Sequence, residues 1–134
     1  MPIYQKGVIA GNFDLIHPGY VHMFNECKDY CEHLTVCLHE DPSVERPEKH
    51  KPLFSVEERT VVLSALRPVD QIVVYRTEKE LESTLAQLAP DVRFLGDDYL
   101  NKYYTGEYLK IPIVFITRSH GWSTTKLKNL IKSS

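Results

Sequence analysis

A chain of 134 residues suits one domain with a single core, so any active site is built from that core or shared between copies of it. With 16 Lys and Arg against 18 Asp and Glu, the net charge of -2 gives no electrostatic reason for nucleic acid or an anionic membrane to be the main partner. No apolar run approaches the roughly 20 residues that span a bilayer, Met1 to Lys6 lacks a signal peptide's apolar stretch, and three cysteines make an odd number for a closed disulfide framework, so a cytoplasmic protein is expected.

Val8 to Ala10 reads as a first short strand. It runs into Gly11-Asn12-Phe13-Asp14-Leu15-Ile16-His17-Pro18-Gly19-Tyr20, a turn opening a helix expected over 18–32, with Tyr20, Phe24, Cys27, Cys31 and Leu34 on one apolar stripe. Gly11 lets a ligand approach the backbone, Pro18 suits a first helical turn, and the free N–H groups there attract phosphate. His17 then stands at an anion site, or serves as an ordinary helix cap. A strand over Leu34 to Leu38 leads into a polar connection, Asp41 to Phe54, carrying Pro42, Pro47 and Pro52.

Ser55 and Glu58 form a capping box for a helix over 56–66. A strand over Gln71 to Tyr75, a helix over 79–89 and a strand over Val92 to Leu95 follow. A second long connection, Gly96 to Lys110, holds Tyr99, Tyr103, Tyr104 and Tyr108. The last elements are a strand over Ile113 to Ile116 and a helix over 124–132, with Ser123 as N-cap and Trp122 and Leu127 placed as a hydrophobic staple.

This alternation predicts an α/β fold: a single Rossmann-like domain over 1–134, five parallel strands, right-handed crossovers and helices on both faces. Ligands in such sheets gather beyond the carboxyl ends of the strands, where the strand order switches, and both long connections leave from that edge. They are functional loops or merely mobile ones.

The hydroxyls and free N–H groups of Ser123-Thr124-Thr125 make an acceptor-hungry pocket, while Lys126 and Lys128 oppose the helix dipole in a way that a bound anion would offset. With Arg118 upstream, the segment is a phosphate site or an N-cap with solvated lysines. Zinc is not expected, because Cys27 and Cys31 lie on the apolar stripe, Cys37 lies in a strand and no Cys-x-x-Cys spacing occurs. No phosphate loop or dinucleotide fingerprint is present, which lowers kinase and dehydrogenase readings.

Residues 11–20 resemble the nucleotidyltransferase signature Gly-x-Phe-Asp-x-x-His-x-Gly-His at every fixed position except the last, which is Tyr20. Glu58-Arg59, Arg67-Pro68-Val69-Asp70, Gly96-Asp97-Asp98-Tyr99 and Arg118-Ser119-His120-Gly121-Trp122-Ser123-Thr124-Thr125 follow in the order and spacing of the cytidylyltransferase-like nucleotidyltransferases. Within that group the likeness is greatest to the glycerol-3-phosphate cytidylyltransferases.

The resemblance implies strand order 3-2-1-4-5 and transfer of CMP from CTP to a small alcohol phosphate, glycerol 3-phosphate by default, with release of pyrophosphate. An adenylyltransferase using ATP, or a nucleotide-binding module with little catalysis, are the alternatives. It implies catalytic roles for His17, Lys51 and Tyr20, and nucleotide contacts from Gly11, Asn12, Phe13, Asp14, Gly19, Asp97, Asp98, Arg118, Ser119, Ser123, Thr124 and Thr125. Arg59 and Lys49 would meet the acceptor. Mg²⁺ would be held mainly by triphosphate oxygens, with Asp14 a candidate carboxylate. A homodimer with Arg67 to Asp70 near its interface is also implied.

At Tyr20 three readings stand. A phenol donates a hydrogen bond at neutral pH but brings no positive charge; its ring also suits the stripe with Phe24 and Cys27; or the change marks a different acceptor.

Overall fold

The computed structural model describes residues 2–117 and 123–134; Arg118, Ser119, the expected staple residue Trp122 and the side chain of Thr124 lie outside the described residues. In chain order the elements are β1 (Tyr4–Gly11), α1 (Pro18–Tyr30), β2 (Cys31–His39), α2 (Val56–Ser64), β3 (Gln71–Tyr75), α3 (Glu78–Leu88), β4 (Val92–Gly96), β5 (Ile113–Ile116) and α4 (Thr124–Ser133). The strands form one parallel sheet in the order β3-β2-β1-β4-β5, as expected, with the strand order switching between β1 and β4.

The first two strands are longer than their apolar runs. α1 passes into β2 without a loop, so Cys31, read from its spacing as helical, is already extended at φ -138° and pairs with Tyr4. Apolar residues at steps of three and four cannot mark where a helix gives way directly to a buried strand.

Alternation along the central strands sends Ile9, Val36 and Phe94 to one face, where Phe24, Cys27 and Leu63 of α1 and α2 cover them. Val8 and Cys37 go to the other, under Leu81 and Leu85 of α3. Full burial of each large apolar side chain stabilises the fold by about 1.5–3 kcal/mol. Side chains of the two flanking strands close over Gly7, where a Cβ would lie 2.6 Å from Cys31 Sγ and 2.7 Å from the Phe94 ring. Glycine alone fits there.

The helix starts follow the sequence. Ser55 Oγ accepts from Glu58 N–H at 3.1 Å, and the Glu58 carboxylate accepts from Ser55 N–H at 2.9 Å, completing the capping box. Ser123 caps α4 by accepting from Lys126 N–H at 3.0 Å. Among the described residues no helix is long and apolar enough to cross a membrane.

Candidate active site

The turn after β1 carries backbone strain. Phe13, a residue with a Cβ, sits at φ 43°, in a region that costs a non-glycine residue about 1–3 kcal/mol. Its ring is buried, 5.4 Å from Phe24 and 5.6 Å from Tyr20 between centroids, and it would press on any Cβ placed at Gly11. The Phe13 side chain, expected beside the nucleotide, is therefore a wedge driven into the core, and its contribution to the cleft is the path it forces on the backbone.

His17 is buried and is the N-cap of α1, its Nδ1 accepting from Gly19 N–H at 3.1 Å. An accepting Nδ1 leaves the ring proton of neutral imidazole on Nε2, so Nε2 is the donor. Tyr20 lies against this ring, 4.4 Å away and inclined by 25°, and also packs on the core around Phe24. The Tyr20 ring thus belongs to the stripe, and the same ring touches His17.

Asp14 is 3% exposed. Its oxygens accept from Leu53 N–H at 2.8 Å and Phe54 N–H at 3.0 Å, and Lys128 of α4 approaches Oδ2 to 3.2 Å. Burial alone would raise its pKa; the two amides and the lysine outweigh burial and hold it below the ordinary carboxylate value. Its lone pairs are thereby directed at protein donors, and a metal ion on Asp14 would have to displace Lys128. The carboxylate ties together three segments distant in sequence: the turn after β1, the end of the polar connection and α4. Lys51 lies two residues before the tethered Leu53, and both Lys51 and Lys49 are exposed. Lys128 is paired rather than awaiting an anion.

Arg59 departs from expectation. It is 1% exposed, and its guanidinium faces inward. Nε donates to the Phe54 carbonyl at 3.1 Å, Nη1 to those of Asn12 at 2.8 Å and His39 at 2.7 Å, and Nη2 to that of Glu40 at 2.5 Å. Four carbonyls thus occupy a group with five N–H donors. The physical reason is that carbonyls crowd at the carboxyl ends of parallel strands, and a buried cation gathers them. Arg59 holds the turn, the end of β2 and the start of α2 in register, and does not offer its charge to an acceptor.

Asp97 and Asp98 open a short 3-10 turn, Asp97–Tyr99, just beyond β4, and both are exposed. Ser123, Thr125, Lys126 and Asn129 line an open groove of about 510 Å³ along α4. A second cavity, of about 420 Å³, opens at the amino-terminal edge of the sheet among Lys6, Val8, His33 and Thr35, away from all these residues. The cysteines are free and buried, and no group of metal-ligating side chains occurs among the described residues.

Two residues of consequence escaped the sequence reading. The sequence puts Lys128 in the anion pocket at the start of α4, or in solvent, and gives no sign of its pairing with Asp14. Arg93, buried in β4, carries a sequence signal: one charge inside the apolar run Val92-Arg93-Phe94-Leu95.

A parallel sheet whose central strand ends in a strained turn capped by histidine, with α4 latched to that turn, defines a doubly wound α/β protein, a class in which ligands gather at the switch in strand order. The chain belongs to the cytidylyltransferase-like family, which residues 8–134 match. It is similar to the bifunctional protein HldE of Hyphomonas neptunium, 33% identical over 126 residues that cover 90% of this chain and 26% of the relative. It is also similar to the FAD synthase of Thermococcus sibiricus, 29% identical over 119 residues covering 81% of this chain and 80% of the relative. The chain thus spans about a quarter of the length of the HldE proteins it matches.

Among solved structures, the lipopolysaccharide core biosynthesis protein of Thermoplasma volcanium shares the fold at a TM-score of 0.67 and 24% identity, over 85% of this chain and 95% of that one. Pantothenate synthetase of Thermus thermophilus shares it at 0.58 and 12%, over 87% of this chain and 56% of that one.

Proposed function

We propose that this chain is a nucleotidyltransferase that joins the nucleotide of a nucleoside triphosphate to a phosphorylated small molecule. A phosphate oxygen of the acceptor forms a bond to the α-phosphorus while the bond to the departing pyrophosphate breaks in line, so no covalent enzyme intermediate is needed. The observation that carries the reading is the Asp14–Lys128 pair, which brings the signature turn and the last helix together at one edge of the sheet.

In this mechanism Nε2–H of His17 donates to the α-phosphate as its charge grows, Tyr20 braces the imidazole, and Lys51 neutralises the triphosphate from the tethered connection. Arg118, Ser119, Ser123, Thr124 and Thr125 would hold the leaving pyrophosphate, and Gly11, Asn12, Gly19, Asp97 and Asp98 the nucleoside. Mg²⁺ fits as a partner of the triphosphate, since Asp14 is engaged by protein donors.

For the base, the signature and its spacing favour CTP, with glycerol 3-phosphate the default acceptor. The similarity to an FAD synthase favours ATP, because FAD contains an adenylate. Exposed Val61 and Val62 on α2 support a homodimer, and three free thiols suit the cytoplasm. The test is phosphorus NMR of CTP or ATP with Mg²⁺ and a panel of alcohol phosphates. Pyrophosphate with one nucleotide identifies the donor; none with either would defeat the proposal. Weak turnover that rises in Tyr20→His would make this a slowed enzyme; binding without turnover in both proteins would make it a nucleotide-binding module.

A further inference from the structure

The hydrogen bonds of Asp14 hold its oxygens without cancelling its charge. The N–H groups of Leu53 and Phe54 donate to the carboxylate at 2.8 and 3.0 Å and clamp the end of the polar connection to the turn after β1. An amide brings no net charge, so a carboxylate held by amides alone still presents a full negative charge to its surroundings. That charge is buried, where solvent and salt screen it less than they would at the surface.

Its place makes the charge matter. His17, the cap of α1, lies three residues further along the same turn, at most about 11 Å even for an extended chain. On the other side Lys128 stands five residues beyond the Ser123 cap of α4, about 7.5 Å along the helix axis, and helical side chains lean toward the amino end. The carboxylate is therefore close to both groups assigned above to the triphosphate, the His17 donor and the free N–H groups that open α4. Among the described residues the one cation in an ion pair with Asp14 is Lys128, its Nζ 3.2 Å from Oδ2. Arg59 reaches the same turn, but at the Asn12 carbonyl.

We propose that Lys128 is a positioning residue of the reaction: it cancels the charge of Asp14, so that the carboxylate clamps the connection carrying Lys51 without repelling the triphosphate. This rests on the nucleotidyl-transfer reading and gives the ion pair a role in nucleotide affinity beyond holding the fold. A triphosphate carries several negative charges, and one uncancelled carboxylate about 8 Å away in a site of low dielectric is enough to weaken its binding by about tenfold.

The test is calorimetric titration of the full chain with inorganic triphosphate, and with CTP and ATP, at constant ionic strength. Lys128→Met should bind these anions about tenfold or more weakly, and Lys128→Arg within about threefold of wild type. The double variant Asp14→Asn/Lys128→Met should recover to within about threefold of wild type, since the charge to be cancelled is gone. Wild-type affinity in Lys128→Met overturns the proposal, and so does a double variant as weak as Lys128→Met, which would make Lys128 a direct anion ligand or a purely structural residue. Asp14→Asn alone should bind at least as tightly as wild type although its fold is less stable; weaker binding overturns the proposal even if Lys128→Met does not fold. Turnover with a nucleotide whose affinity ignores Lys128 would defeat this role and leave the transfer reading standing. The expected binding pattern without turnover would do the reverse, and a wild-type chain that binds none of the three anions would defeat both.

Discussion

The carboxylate of Asp14 and the ammonium of Lys128, 3.2 Å apart, join the turn after the first strand to the last helix. Asp14→Asn should cost about 3 kcal/mol in urea unfolding, because the new amide must turn an N–H toward Leu53 N–H, Phe54 N–H or the lysine, and a buried partner is left without its charge. Lys128 is less buried, and Lys128→Met should cost less.

The same carboxylate sets an acid limit. Burial pushes Asp14 and Asp70 upward, but amide and lysine partners outweigh it and hold both below the ordinary value. The native chain thus binds fewer protons than the unfolded one in acid, so their stabilisation is complete above the unfolded value of about 4 and is lost as pH falls below it toward the native values. The urea midpoint should stay level from neutral pH to about 5 and fall below about 4, less steeply in Asp14→Asn.

His17 serves both as cap and as proposed catalyst, and these roles separate. Asparagine at this position keeps an acceptor for Gly19 N–H, so His17→Asn should change stability by less than about 1 kcal/mol. Loss of the Nε2 donor should lower kcat by about 10²–10³. Equal falls in stability and rate would argue that the cap is the whole of its role.

Arg59→Lys keeps the charge but reaches far fewer of the four carbonyls. About 3 kcal/mol of stability should be lost, with the m-value unchanged. Since the arginine positions the turn rather than the acceptor, any loss of activity should appear in kcat more than in the acceptor KM.

The thiols give a direct check on packing. Burial pushes all three up, Cys37 to about 12. In native protein at pH 8 a thiol reagent should find almost none reactive, and in denaturant it should titrate all three. Fast native labelling would place one of them at the surface.

Much of this was legible in the residues. Apolar runs, capping motifs and alternation suffice for the sheet, because each rests on local chemistry: Ser55 with Glu58, Ser123 with the amides that follow it. The direction of Phe13 and Arg59 was not legible. Both sit in a signature that suggests ligand contact, yet one folds into the core because of a strained φ and the other is claimed by carbonyls that only the assembled strand ends bring together. Long-range pairs such as Asp14 with Lys128 leave no periodic trace.

β1 lies at the middle of the sheet, between β2 and β4. During synthesis β1 can dock on β2 early, but its other edge waits for β4, and Asp14 finds its lysine only after α4 has been translated. A chain that ends before α4 would carry the five strands and the capped histidine without the latch. Translation of α4 then acts as the moment of commitment, when the turn after β1 gains its partner across the sheet edge.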